Sequence, residues 1–297
     1  MKKRSVFMHN LENHLVSIKI KDIGAELCSL YEKHHDIEYI WYGDKSIWGR
    51  NAPVLFPIVG KVKDNAYKVN KKSYSLSQHG FARDCIFDLI EKTDTSLCFE
   101  LLYSKETLKI YPFKFKLQIK YELIKNILEI NYKVVNLDND EIYFSLGAHP
   151  GFNCPLYPNE NFDDYYLELE NHETLNTLCL NSEGYFNNKS KPFLMNENKI
   201  SLNYDIFKED ALVFKNLKSD SVTLKSTKNQ RQVKVSFKDF PYLGIWTKGE
   251  DAPFVCIEPW YGHADFEDFT GEFKNKEGIL KLNINEEFNA KMSIEVS

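Results

Sequence analysis

The stretch Lys114 to Leu123, KFKLQIKYEL, alternates polar and apolar residues without a break. Lys114, Lys116, Gln118, Lys120 and Glu122 fall on one side, and Phe115, Leu117, Ile119, Tyr121 and Leu123 on the other. An extended strand, whose side chains alternate between two faces, gathers those apolar groups into one surface, whereas a helix would scatter them around its circumference. The next run, ILEINYKVV from Ile127, repeats the pattern with Leu128, Ile130, Tyr132 and Val134 opposed to Glu129, Asn131 and Lys133. Lys125 and Asn126 between them carry a turn signal, so the pair reads as a β-hairpin with one wet and one buried face.

Shorter runs of the same kind are HLVSIKI (14–20), IEYIWY (37–42), SLCFELLY (96–103), DDYYLELE (163–170), DALVF (210–214), SVTLKS (221–226), RQVKVSF (231–237) and AKMSIEV (290–296). No stretch keeps a helical period beyond about two turns. Many short strands joined by Asn, Asp, Lys and Gly turns predict an all-β protein, a large antiparallel β-sandwich. A chain of 297 residues that is 43% hydrophobic has the apolar surface for a large core. No repeat, low-complexity tract or long linker divides it, so a single domain is expected over 1–297. The Asn-rich region from Leu180 to Asn203 reads as an extended surface connection.

A net charge of −5 gives no global attraction to nucleic acid or to an anionic membrane. No apolar run approaches the ~18–20 residues of a spanning helix. Cys28, Cys85, Cys98, Cys154, Cys179 and Cys256 are scattered without a C-x-x-C pair, and the N-terminus lacks the apolar core of a signal peptide. Reduced thiols in a cytoplasmic protein are the expectation.

The alternation breaks where residues suited to chemistry accumulate. In IYFSLGAH (142–149), Ile142, Phe144, Leu146 and Ala148 make an apolar face, while Tyr143, Ser145, Gly147 and His149 share the other. His149 therefore looks over small and polar groups, where a polar ligand fits, and Pro150 and Gly151 then turn the chain. In FVCIEPW (254–260), Phe254, Cys256, Glu258 and Trp260 share a face, provided that pairing persists up to Pro259. Proline cannot donate to a ladder, so Glu258 is expected at the end of its strand. Between Cys256 and Trp260 its carboxylate would be partly desolvated, with a pKa raised toward the range of a general base. The same spacing also suits a Glu258 bridged to a surface lysine and a His149 bonded to a turn carbonyl, and no sequential motif forces the two together.

His79 and Arg83 in QHGFARD (78–84) fit a turn that presents imidazole and guanidinium to an anionic or hydroxyl-rich ligand, or two ordinary surface residues. Arg50 stands before the rigid apolar run NAPVLFPIVG, as a ligand contact or as half of a structural ion pair. Trp246 and Trp260 suit stacking on a sugar face or packing in a core. His263 and Asp265 form an H-x-D pair able to ligate a cation but lack a third spaced partner, and no H-x-H or H-E-x-x-H occurs, so no metal is expected. Without G-x-G-x-x-G, a Walker-type loop or G-x-S-x-G, nucleotide binding and serine hydrolysis have no support.

Taken in order, NAPVLFPIVGK, QHGFARD, LGAHPGFNCP, EDALVFKN, FPYLGIWTK and FVCIEPWYGHAD resemble the aldose 1-epimerase (galactose mutarotase-like) family, most closely a bacterial LacX-like branch, over nearly the whole chain. The resemblance implies a galactose mutarotase-like supersandwich with a cofactor-free sugar site in its concave face. It implies Glu258 as catalytic base and His149 as catalytic acid, with His79 and Arg50 binding sugar and stabilising the transition state. Asp210 matches an acidic residue that holds ring hydroxyls. Galactose mutarotases proper read His-Pro-Tyr-Phe-Asn where this chain has His149, Pro150, Gly151, Phe152 and Asn153, so Gly151 is expected to remove a wall of the site. HGFAR is shared with a hexose-6-phosphate epimerase branch, in which an arginine at the place of Arg83 helps to hold phosphate.

The function expected is interconversion of the α and β anomers of a hexose by acid/base ring opening and closure, with a small-molecule sugar as partner and a monomer or homodimer as the assembly. Hexose-6-phosphate epimerisation and non-catalytic carbohydrate binding are the alternatives. A glycoside hydrolase would need a carboxylate pair such as Asp210 with Glu258, and would leave His149 without a role.

Overall fold

A computed structural model describes residues 6–249 and 251–297. Its largest element is a nine-stranded antiparallel sheet in the order Phe186–Ser201, Tyr165–Leu180, Ser221–Ser226, Gln232–Ser236, Glu287–Val296, Ile127–Asn136, Phe115–Ile124, Ser96–Leu102 and Asp88–Lys92. The hairpin read from KFKLQIKYEL and ILEINYKVV is present: Ile119 faces Tyr132, and Lys125 turns the chain in the left-handed conformation at φ 58°. Phe115, Leu117, Ile119, Tyr121 and Leu123 are all buried, each contributing roughly 1.5–3 kcal/mol by leaving water.

A six-stranded sheet carries Leu212–Lys215, Tyr242–Trp246, Phe254–Tyr261, Leu146–Ala148 and Val54–Leu55, with Gly151–Asn153 also paired to Phe254–Tyr261. Leu243, Ile245, Val255 and Ile257 from this sheet share one core cluster with Leu117, Ile119, Leu128 and Val233 from the larger one. Two sheets face to face over a common core make the sandwich that the alternation predicts. A four-stranded sheet, Met8–Glu12, Val16–Lys21, Glu26–Glu32 and Ile37–Glu38, adds Ile18, Ile20 and Leu30 to that core. Thr107–Ile110 is the one α-helix among the described residues, and no described helix is long and apolar enough to cross a membrane.

The sequence reading fails in four places. The expected strand 37–42 is paired only at Ile37–Glu38, with Ile40 making an isolated bridge to Phe152. The run 142–149 is two strands in two sheets: Ile142–Phe144 pairs with Leu280–Leu282, Leu146–Ala148 pairs with Phe254–Tyr261, and Ser145 N–H between them donates to Pro57 O at 2.7 Å. The supposed surface connection 180–203 is half of a long hairpin, Tyr165–Leu180 against Phe186–Ser201. Its Asn, Lys and Glu side chains stand on both faces of a strand that is mostly exposed, so polarity loses the period that betrays a half-buried strand.

The fourth failure is Pro259, which ends nothing: the strand runs on to Tyr261, with Pro259 opposite Leu243. Ile257 N–H donates toward the other neighbour, to Pro150 O at 3.2 Å, and the N–H that Pro259 lacks would point the same way. In that register Pro259 stands opposite Ala148, where the pairing of Leu146–Ala148 stops at Gly147, so the proline gives up a bond on this side and keeps its place beside Leu243 on the other.

Candidate active site

The interruption brings two of the candidate residues together. Gly147 opposite Trp260 and Gly151 opposite Cys256 belong to one register, which puts His149 directly across from Glu258. Directly opposed residues project from the same face, and Val255 and Ile257 take the core face, so His149 and Glu258 emerge together on the concave side. His149 Nε2 lies 3.2 Å from Glu258 Oε2, with both side chains almost wholly buried. The strand on the other side brings Gly244 opposite Glu258, and the indole of Trp260 folds over that glycine. A Cβ at Gly244 would stand 2.4 Å from two carbons of the ring.

A cavity of about 380 Å³ opens over the pair, a volume within the range of small-molecule sites. Trp48, Trp246 and Trp260 supply aromatic wall, and Gln78, His79, Arg83, Asp210 and Lys248 supply polar groups. Leu180, Gly184 and Phe186, from the hairpin misread as a connection, close one side. Buried polar atoms of four lining residues lack a well-aligned partner within the protein: Arg83 Nε, His149 Nδ1, Glu258 Oε2 and Trp260 Nε1. Such a concentration of unsatisfied donors and acceptors fits a polyhydroxylated ligand.

Burial sets the protonation of the pair. It pushes the Glu258 carboxyl well above the usual carboxylate range; the Trp260 indole N–H beside it partly offsets the rise, and Asp210 adds to it. Burial likewise pushes His149 down to about 3, reinforced by the Arg83 and Arg50 guanidinium groups. Each group resists charge, so the pair together retains one proton.

His79 occupies a turn at φ 65°, its N–H bonded to Gly60 O at 2.7 Å. Its Nδ1 accepts the Gly60 N–H at 3.1 Å, which leaves Nε2 to carry the ring proton. Desolvation, then His149 and the nearby cations, holds His79 well below the ordinary histidine range, so it is a neutral donor. Arg83 donates to Gln78 O at 2.6 Å, and burial pushes it down to about 10, still charged at neutral pH.

The cavity therefore brings together His79, Arg83, His149, Asp210, Trp246, Glu258 and Trp260. Arg50 is not on its wall: the guanidinium pairs with Asp84 at 2.9 Å, and it acts on the histidines only through its field. Asp265 is no cation ligand in company with His263. It faces the Lys276 ammonium at 2.8 Å, while His263 Nδ1 donates to Ala264 O at 2.6 Å. The grouping of metal-binding side chains among the described residues is instead His149, Cys256 and Glu258, whose ligand atoms lie within 4.8 Å of one another, a nitrogen, sulfur and oxygen set that zinc accepts.

Sequence reasoning missed Trp48. Its ring stacks on the His149 imidazole at a centroid distance of 5.0 Å and on Phe254 at 5.2 Å. It also takes the space expected to be open at Gly151, so the wall is supplied from another segment. Trp48 sits in GDKSIWGR, which has no periodicity, and only the glycine one position past Pro150 hinted that something must approach closely there.

The family model for aldose 1-epimerase matches residues 8–281. The chain belongs to the aldose 1-epimerase family. It is thus an isomerase by family. Within that family it is 34% identical over 261 residues to the plasmid-encoded and chromosomal LacX proteins of Lactococcus lactis subsp. lactis, covering 85% of this chain and 87% of theirs. Among solved structures, a galactose mutarotase related enzyme from Lactobacillus acidophilus superposes with a TM-score of 0.94 at 38% identity, over 98% of this chain and 97% of that one. A galactose mutarotase-like protein from Lactobacillus casei gives 0.93 at 33% identity, over 98% and 100%.

Proposed function

We propose that the protein is a hexose mutarotase in which Glu258 and His149 open and close the sugar ring. The observation that carries the reading is the contact between these two groups across one ladder step, 3.2 Å apart and buried at the floor of a polar and aromatic cavity. The shared proton first passes from the Glu258 carboxyl to His149 across their 3.2 Å contact; the carboxylate then takes the proton of the C1 hydroxyl while the imidazolium delivers its proton to the ring oxygen. The C1–O5 bond breaks, giving an aldehyde at C1 and a hydroxyl at C5. The pair is then carboxylic acid and imidazole. After C1 rotates, the C5 oxygen attacks the opposite face of the carbonyl, Glu258 returns its proton to the carbonyl oxygen and His149 recovers its own.

The pair holds one proton at both ends of this cycle, so no net charge is created in a buried site. Positioned acid and base groups contribute ~10²–10⁴-fold each, or about 3–5 kcal/mol of barrier. His79, a fixed neutral donor through Nε2, suits a hydrogen bond to sugar oxygen. Trp48, Trp246 and Trp260 offer apolar faces to the ring, and Asp210 an acceptor for hydroxyls.

Arg83 and Lys248 on the same wall favour a second reading, a hexose 6-phosphate as substrate. The test follows the anomeric equilibration of freshly dissolved α-glucose, α-galactose and glucose 6-phosphate by polarimetry or NMR. Acceleration of free sugars that Glu258→Gln abolishes supports the hexose reading. Acceleration confined to the phosphate supports the second, and binding without acceleration would leave a carbohydrate-binding protein.

A further inference from the structure

We propose that Asp265 is a positioning residue, paired with Lys276, that fixes the hairpin wall of the cavity; this rests on the epimerase reading of that cavity. Beyond Leu169 the hairpin leaves its neighbour Ser221–Ser226, and its far end has to be held over the site by other means. Asp265 does this with three hydrogen bonds and one ion pair to three segments. Its N–H donates to Lys61 O at 2.8 Å, and its carbonyl accepts from Phe186 N–H at 3.0 Å. Carboxylate Oδ2 accepts from Lys63 N–H at 2.8 Å, and Oδ1 meets the Lys276 ammonium at 2.8 Å. Two of the tied segments place cavity-lining residues at the tie, Gly60 before Lys61 and Phe186 itself, and Ala264 lines the cavity just before Asp265.

The ion pair is the costly member of this set. Asp265 is 3% and Lys276 4% exposed, and Lys276 is the one buried lysine among the described residues. A buried pair is a poor source of stability compared with apolar packing, but it fixes geometry strongly, because neither charge can leave the other. The end of the hairpin has further, uncharged or exposed ties: Glu267 N–H to Phe186 O at 2.9 Å, Val213 N–H to Thr177 Oγ1 at 3.0 Å, Asn181 Nδ2 to Glu267 Oε2 at 3.0 Å, Lys61 Nζ to Glu183 O at 2.7 Å and Asp64 N–H to Tyr185 Oη at 3.1 Å. Phe186 and Leu180 line the cavity from this hairpin, whereas Glu258 and His149 are held by the sheet. Loosening the clamp therefore acts on binding and spares the chemistry.

The test uses Asp265→Asn with Lys276→Met, a double variant that removes both charges, keeps an acceptor for Lys63 N–H and fills the volume of the lysine stem. Asp265→Asn alone strands a buried cation and serves as the harsher comparison. In the double variant the Phe186 amide is expected to exchange its hydrogen at least 10-fold faster. KM for the sugar is expected to rise at least 5-fold while kcat stays within about 2-fold. Wild-type exchange and KM in the folded double variant overturn the proposal. So does a joint fall of kcat and KM-normalised rate that tracks lowered Tm, which is the mark of a scaffold role. Should the wild-type protein prove inactive on every sugar, amide exchange at Phe186 still decides the clamp, so the two readings fail separately.

Discussion

The indole of Trp48 stands where a side chain at position 151 would have to go: a Cβ on Gly151 would lie 2.9 Å from its Cζ3. Gly151→Ala is therefore expected to push Trp48 off the imidazole of His149. An aromatic stack of this kind is worth about 0.5–1.5 kcal/mol, so KM should rise roughly 2- to 10-fold. Steady-state KM with near-UV circular dichroism checks it. An altered tryptophan spectrum with unchanged KM would show that Trp48 plays no part in holding sugar.

On the proposed mechanism Glu258 and His149 work with one proton between them, so they should fail as a unit. Glu258→Gln and His149→Asn are each expected to lower kcat by ~10²–10⁴, and the double variant should be little worse than the worse single one. Polarimetry on all three, with folding checked by circular dichroism, measures the coupling. Multiplicative losses would mean that the two groups act in separate steps.

The pH profile follows from the same burial. Activity needs one proton on the pair, and His149, pushed down to about 3, takes up a second only in strong acid. Glu258, raised well above its usual range, keeps the remaining one where an ordinary carboxylate has lost it. The rate kcat/KM should thus show no step at the ordinary carboxylate or histidine values of about 4.3 and 6.5. A fall with a midpoint near 6.5, the value of an ordinary histidine, would mean that the imidazole is not held neutral by desolvation.

His79 has two jobs that separate by substitution. His79→Asn keeps a residue type that tolerates the left-handed turn and an acceptor for Gly60 N–H, so stability should change little while activity falls. His79→Ala leaves that amide unpaired and should cost about 1–3 kcal/mol. Urea unfolding compared with turnover distinguishes them; equal stability of the two variants would remove the structural role.

What could be read from the chain was decided by exposure. The hairpin at 115–136 is legible because one face is core and the other water, and the same two-face logic placed His149 beside small groups and Glu258 beside Cys256 and Trp260. The hairpin at 165–201 was lost because its outer half is wet on both sides. Pro259 misled because a proline gives up a bond on one side only, and the pairing to Leu243 on the other side carries the strand past it. The role of Trp48 lay beyond reach for a related reason: its partners His149 and Phe254 are distant in sequence, and no local pattern encodes the meeting.

Gly147 to Gly151 is a segment whose length is counted. Because the pairing on both sides of His149 keeps one register, a single inserted residue would re-enter the sheet with its faces exchanged, turning Phe152 out of the core. A deletion would do the same and also withdraw the imidazole from Glu258. A change of spacing here would therefore cost both the fold and the contact between His149 and Glu258 at once.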